Sequence, residues 1–349
     1  MKKIYLYSLV LPLSLLAATA FAGNPDRQGE AGAGQLLINP WARSAGLHSM
    51  NTASVSGADA MYLNVAGLSR IGKTQINLAR TVYLAGSDLN LNALSFGRRI
   101  GKGGAFGISL VSLDLGDFEY TTEETPQGTG AKFSPSYFNM GVSYSYRFDN
   151  KVSVGTTVKF VNESLSNVGA SAVALDAGVQ YVSGAQDNFK FGISLRNVGS
   201  RMRFTGEGLS RARPNPNDAA VPYVVTYYER SAAYELPSQL SIGMSYDWIF
   251  TATTRLSAMA NFTSNAFSRD QVGGGLEFTL GQNFALRAGY KGELSADSVQ
   301  KTLDNGFSGG FSAGFPVRKD SETRISLDYA YRTTSIFDGI HNIGLRLDF

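Results

Sequence analysis

Cysteine is absent from all 349 residues, and histidine occurs only twice. The first absence removes disulfides, thiolate nucleophiles and sulfur-ligated metals together. The second leaves any metal site or hydrolytic triad to His48 and His341, and no carboxylate spacing around either supports one. A charge excess of one sign is missing too. Setting aside Lys2 and Lys3 of the leader, 31 basic residues become 29, against 28 acidic. A nucleic-acid partner needs a basic field, so none is expected. Gly101-Lys102-Gly103-Gly104-Ala105-Phe106-Gly107 imitates a phosphate loop but lacks the Gly-Lys-Ser/Thr ending and reads as a β-turn. No Gly-x-Ser-x-Gly elbow is present. The sequence therefore nominates no catalytic, cofactor-binding or metal-ligating residue, and an enzyme is not expected.

Long apolar runs are missing after the first residues. Lys2 and Lys3 precede an apolar stretch from Ile4 to Leu16, and Ala20-Phe21-Ala22 supplies small residues around a cut between Ala22 and Gly23. These are the parts of a secretory signal peptide. The run is too short for a membrane anchor, which takes about 20 apolar residues, and without cysteine at the cut a lipoprotein is excluded. The expected division is a leader over 1–22, an N-terminal plug or periplasmic segment over 23–70, and a membrane domain over 71–349.

What remains is rich in glycine (39), phenylalanine (21) and tyrosine (17), and it alternates. Phe138, Met140, Val142, Tyr144, Tyr146 and Phe148 share one phase, with Asn139, Gly141, Ser143, Ser145 and Arg147 between them. Period two puts the two sets on opposite faces of a strand. The same pattern returns around Val154, Ile242, Leu276 and Leu286. A soluble sandwich also alternates. Here the strands run about ten residues, the length that crosses a bilayer at a tilt. The apolar face ends in aromatics, as an interfacial girdle does, and the other face suits a wet lumen better than a dry core. The chain also ends on a strand in which Ile343, Leu345, Leu347 and Phe349 share one phase. An alternating strand with a terminal aromatic resembles the signal read by the barrel insertion machinery, so Leu345, Leu347 and Phe349 are its candidates.

Fourteen such segments are expected, centred near Leu78, Leu91, Ile108, Val142, Thr156, Leu175, Ile193, Ile242, Ala258, Leu276, Leu286, Phe311, Leu327 and Leu345. Short connections, such as Asp149-Asn150, alternate with longer ones: Gly116 to Phe133, Asn162 to Ala170, Gly199 to Leu236 and Glu293 to Asn305. That is the asymmetry of an all-β, closed antiparallel transmembrane barrel, in contact with outer-membrane lipid. An even strand number predicts both termini on the periplasmic side. Lumen-facing Asp176, Arg196, Asp328 and Arg332 are expected to pair across the barrel, and Glu123-Glu124 to be solvated in an outer loop. Gly34 to Arg70 lacks a long alternating run and reads as short helices and loops, tucked into the lumen or laid across the periplasmic mouth.

That segment carries a resemblance. Gly34-Gln35-Leu36-Leu37-Ile38-Asn39-Pro40-Trp41-Ala42-Arg43-Ser44-Ala45-Gly46 resembles the opening motif of the PorV/PorQ family, and Ala58-Asp59-Ala60-Met61-Tyr62-Leu63-Asn64-Val65-Ala66-Gly67-Leu68 continues it. In the family, and in the wider FadL-type group, the last part reads Asn-Pro-Ala-Gly-Leu. Val65 stands here in the proline position, and Leu47-His48 replaces a glycine pair. Ser194-Leu195-Arg196-Asn197-Val198-Gly199, Leu236 to Gly243, and Leu327-Asp328-Tyr329-Ala330-Tyr331 are similar as well. The resemblance implies a FadL-like fourteen-stranded barrel whose plug carries Asn39, Pro40, Arg43, Gly46, Asp59, Asn64 and Gly67. It also implies a role in type IX secretion, docking the translocon barrel, secreted cargo domains or both. The alternative, by analogy with FadL, is a transporter of hydrophobic small molecules.

The functional expectation falls on the longest loop. It contains Arg203, Arg211 and Arg213, then Pro214 to Asn217, then Tyr223, Tyr227 and Tyr228. Loops of such length are uncommon unless functional, and Tyr and Arg are enriched at binding hot spots. The plainer alternatives are a lid over the barrel's own mouth or an extension of two strands above the membrane.

Overall fold

Alternation settles into an inverted protein. In the computed structural model, which describes residues 24–215, 223–281, 283–294, 303, 305–318 and 322–349, Val142 is 42% exposed and Ser143 beside it 1%. The same reversal runs along every long strand: greasy side chains point out and Ser, Thr, Asn, Lys and Asp point in. Only a lipid surround makes that arrangement favourable. The leader, residues 216–222 of the long loop and most of the Glu293–Asn305 connection lie outside the described residues.

The strands are β1 (Thr74–Tyr83), β2 (Leu89–Ile100), β3 (Gly104–Asp114), β4 (Phe118–Glu119), β5 (Lys132–Phe133), β6 (Ser136–Arg147), β7 (Val152–Leu165), β8 (Val168–Ser183) and β9 (Phe189–Gly199). There follow β10 (Ser210–Pro214), β11 (Val224–Tyr228), β12 (Gln239–Ile249), β13 (Arg255–Asn265), β14 (Gln271–Leu280), β15 (Phe284–Glu293), β16 (Gly306–Pro316), β17 (Arg324–Arg332) and β18 (Ile340–Asp348). Fourteen of them close into one antiparallel barrel in chain order, with β1 against β18; β4–β5 and β10–β11 are separate two-stranded ribbons. Every segment centre read from the periodicity falls inside its strand. Closure pairs Leu78 with Leu345 and Ile76 with Leu347, and the Phe349 amide donates to the Thr74 carbonyl (2.9 Å). No barrel edge is left open to lipid, where each unsatisfied backbone group costs several kcal/mol.

Two connections differ from expectation. Asn162 to Ala170 is not a loop: β7 and β8 run on to Leu165 and Val168, joined by Ser166-Asn167 with Ser166 at φ 54°. The cross-strand pairs continue from Asn162–Ser171 to Leu165–Val168, so polar residues there extend the sheet rather than end it. The long loop is also not structureless, since it holds the β10–β11 ribbon.

The N-terminal segment crosses the lumen. Short helices at Ala42–Ala45 and Ala60–Leu63 and a 3-10 turn at Val65–Arg70 are all largely buried. Small lumen-facing residues make room for it. A Cβ on Gly192 would meet Ala53 Cα at 2.7 Å, and one on Gly178 would strike the Asn64 side chain.

The expectation that both termini share one side of the barrel does not hold for the described residues. Thr74 and Phe349, the barrel's own ends, lie together at the short-turn end of the barrel. Residues 24–33 instead lie at the opposite, long-loop end. Ala31 forms a parallel bridge with Glu235, the Gly32 amide donates to the Glu235 carbonyl (3.0 Å), and Arg27 sits over the Phe267 ring (4.4 Å). A plug that traverses the lumen must begin at the end away from the strand it feeds.

Candidate functional site

The plug motif is a set of fasteners. Asn39 is buried; its Nδ2 donates to Ser49 Oγ (2.8 Å), its Oδ1 accepts from the Trp41 amide (2.9 Å), and its carbonyl accepts from Asn342 Nδ2 (3.0 Å). The Pro40 carbonyl accepts from Thr81 (3.3 Å) and the Gly46 carbonyl from Ser308 (3.1 Å). Arg43 forms a two-pronged pair with Asp59, through Nε (3.0 Å) and a terminal nitrogen, and also donates to the Ser56 carbonyl. Such forked pairs fix geometry as well as charge. Asn64 Nδ2 faces the carbonyls of Thr52 (2.9 Å), Val179 (3.2 Å) and Ile193 (3.4 Å), tying plug to wall. Its Oδ1 accepts from the Ala66 amide (3.2 Å), and Val65 opens the 3-10 turn without a proline. Gly67 has no room for a side chain: a Cβ would lie 2.2 Å from the Val55 carbonyl oxygen. These seven residues build the plug, and none of them lines the outer loop.

Three of the four expected lumen charges, Asp176, Arg196 and Asp328, take partners other than one another. Asp176 takes Lys159 (2.5 Å) and accepts from the Asn197 amide (2.8 Å), while Arg196 donates to Gln239 and to the Tyr62 carbonyl (3.1 Å), over the Tyr62 ring. Asp328 accepts from Ser312. Partners on neighbouring strands and on the plug are nearer than any across the lumen, because the plug occupies the space between. The Asp176 cluster sits at a β-bulge. Register between β8 and β9 shifts at Leu175/Ala177, and Asn197 is left-handed at φ 60°. Asn197 completes it, accepting from Lys159 (3.0 Å) and donating to the Pro237 carbonyl (3.1 Å). Both ends of the long loop are thereby held at one point; bulges are common where pairing ends. His48 is buried in the plug, and His341 faces outward, its Nδ1 2.8 Å from the Tyr329 hydroxyl.

The outer loop has a fixed base and a free top. At the base, Met202 pairs with Tyr234, and Met202 and Leu236 pack with Ala33, Leu36, Val161 and Ala172. Arg203 belongs here, half-buried, not with the ribbon above. At the top, Arg211 faces Tyr227 and Arg213 faces Val225 across β10–β11, while Ser210 faces Tyr228 and Pro214 faces Val224. The ribbon therefore has two faces. One carries the two arginines, each near Glu229 (3.7 and 3.5 Å), with Tyr227. The other carries Ala212, Pro214, Val224 and Tyr228. Both are open: Val224 is 67% exposed on the apolar face, and Tyr227 44% on the arginine-bearing one. Tyr223 precedes β11, its hydroxyl against Asn215. The sequence did not single out Glu163, Lys159, Gln180 or Tyr234, which anchor loop and plug. For Glu163, Lys159 and Gln180 a polar or charged side chain on the lumen phase was the available signal; Tyr234 lies in the loop and had none.

The comparisons with known proteins agree with this geometry. The sequence profile of "Type IX secretion system protein PorV" matches residues 24–271, from the mouth through the plug and past the long loop. The chain belongs to the PorV family. Its strand architecture is that of FadL-like barrels. The Pseudomonas putida toluene transporter TodX superposes with a TM-score of 0.52 at 15% identity, covering 89% of this chain and 97% of that one. The Ralstonia pickettii toluene transporter TbuX gives 0.52 at 13%, covering 89% and 97%. A Pseudomonas aeruginosa FadL homologue gives 0.50 at 12%, covering 88% and 96%. At these identities the likeness is one of fold alone. No curated protein matches the chain. As a PorV-family barrel, it is an outer-membrane component of the type IX secretion kind.

Proposed function

We propose that this barrel docks the secretion translocon barrel, secreted cargo domains, or both, through the β10–β11 ribbon on the cell-surface side. One observation carries the reading. A two-stranded ribbon is marginally stable alone, yet this one stands over a rigid base with an arginine-bearing face and an apolar face both open to solvent. Arg211, Arg213, Tyr223, Tyr227 and Tyr228 are the residues that would meet a partner; Arg203 would act through the base. In this reading the leader is removed after Ala22, the plug over 23–70 closes the barrel of 71–349, and Leu345, Leu347 and Phe349 address it to the insertion machinery. Deleting Arg211 to Tyr228 tests the docking role. The barrel should still insert, because its strands pair without the ribbon, and partner co-purification should be lost. Wild-type recovery of partners with the inserted deletion variant would refute it.

A second reading has its own support. Between the plug and the outer half of the wall lies a cavity of about 290 Å³ bordered by Leu37, Ile38, Met50, Tyr62, Leu63 and Tyr83. A cavity of this kind suits a small, partly apolar molecule, as uptake of hydrophobic compounds would require. Recovery of the purified barrel with bound lipid-like ligand and without protein partners would favour it.

A further inference from the structure

We propose that the periplasmic end of the lumen is a binding site for a phosphate-type oxyanion, which would bridge plug and wall. A polar cavity of about 200 Å³ lies there, between the plug and strands β13 to β18. Its lining holds six cations, Arg43, Lys190, Arg255, Arg287, Arg324 and Arg346, against the carboxylates of Glu277 and Asp348. Asp59 and Asp247 take up Arg43 and Lys190 through close ion pairs. Of the other four, Arg287 pairs with Glu277 and Arg324 bonds Asn283, while Asp328 lies near Arg346 together with Asp348.

Two of the four have donors left over. Arg255 touches Asp247 at 3.9 Å and Glu277 at 3.6 Å, both beyond hydrogen-bonding distance, and makes no side-chain hydrogen bond to a described residue. Arg287 occupies the same Glu277 carboxylate at 2.7 Å. Arg346 is 3.2 Å from Asp348, yet its buried Nε has no hydrogen-bond partner among the described residues. A guanidinium presents five donors in a planar fork, and an unfilled buried donor costs free energy that an acceptor recovers. A tetrahedral oxyanion offers several acceptors to several forks at once, which is the match that arginine clusters make. Chloride offers no such fork, and an apolar molecule would leave the donors unfilled. The approach carries a net positive charge as well, since Arg70, Lys102, Arg147 and Lys151 outnumber Asp149 and Asp187 around a second recess at the same end of the barrel, which would raise the local anion concentration. Arg43 comes from the plug and the other arginines from the wall, so the ligand would fasten one to the other.

The test is calorimetric titration of the detergent-solubilised full barrel with inorganic phosphate, and in a second arm with glycerol phosphate, against sodium chloride of equal ionic strength. The proposal expects saturable one-site binding of at least one phosphate species, with chloride not competing. Tighter glycerol phosphate binding would identify a phosphate monoester as the natural form; tighter inorganic phosphate would identify the free anion. Arg255→Gln should weaken binding about tenfold or more, from loss of charge-assisted hydrogen bonds. Arg346→Gln should do the same if it folds. Arg255 is 45% exposed at its side chain and makes only long contacts, so its variant remains folded and keeps the test decisive. No saturable binding of either phosphate, equal binding by Arg255→Gln, or displacement by chloride at matched ionic strength would each overturn the proposal.

Discussion

The Tyr234 hydroxyl donates to one oxygen of the Glu163 carboxylate at 2.7 Å, while Gln35 of the plug donates to the other at 2.9 Å. A single buried side chain near the top of β7 thus joins the end of the long loop to the start of the plug. Burial and this bond both push the Tyr234 hydroxyl above the usual phenol range, so it stays a donor at all physiological pH. Hydrogen bonds to a charged partner contribute about 1.5–3 kcal/mol each. Glu163→Ala should therefore raise amide exchange around Met202 and Tyr234 by one to a few orders of magnitude, roughly in proportion to that energy. The barrel strands should be unaffected. Unchanged exchange at Tyr234 would show that the loop base is held by its apolar contacts alone.

A depressed carboxyl gives the mouth a pH dependence. The hydrogen bond from Arg201 holds the Glu235 carboxyl below its ordinary range, with Arg27 adding to the effect. For a lowered pKa, the stabilisation is complete above the unfolded value and is lost as pH falls through the folded one. The window lies at and below about pH 4.3, the ordinary Glu value. The chain has no cysteine, so Asp26→Cys gives one clean spin-label position. The label should become more mobile as pH drops through that window in the wild-type background. In a Glu235→Gln background it should be mobile at neutral pH already. A pH-independent spectrum would remove Glu235 as the tether.

The lipid face is open to a paired test. Val142→Arg on β6 should destabilise the barrel by about 2–4 kcal/mol at mid-membrane depth. Ser143→Ala, one residue on and facing the lumen, removes only its 2.7 Å contact with Thr157 and should cost about 1 kcal/mol. Reversible urea unfolding in lipid vesicles measures both. Equal losses would mean that the inside and outside of β6 have been exchanged.

At the seam, Phe349 is half exposed and its amide closes onto Thr74. Its removal should lower the amount of heat-modifiable barrel in the outer membrane and leave export to the periplasm intact. Unaltered barrel levels would separate this residue from insertion.

The barrel was legible in the sequence because period two is local: each strand states its own faces, and Val142 against Ser143 needs no long-range information. The plug was legible as a break in that period and as a motif, but not its direction. That depends on Arg27, Ala31 and Glu235 meeting across some two hundred residues, and no local pattern encodes it. The β7–β8 extension was missed for a similar reason. Asn162, Ser164 and Asn167 read as loop composition, while pairing such as Asn162 with Ser171 continues the sheet. The lumen charges were found, but their partners were not. Lys159 meets Asp176 diagonally across β7 and β8, and the Asn197 amide reaches it at a bulge where Asn197 is left-handed.

The most direct test of docking is site-specific photo-crosslinking in living cells. A photoreactive phenylalanine analogue would replace Tyr227, on the arginine-bearing face of the ribbon, and in a parallel strain Phe118, on the separate β4–β5 ribbon. The docking account predicts adducts to the secretion translocon barrel or to secreted cargo from position 227, and few or none from 118. Inserted barrels that give no protein adduct at 227, or the same adducts at both positions, would contradict it.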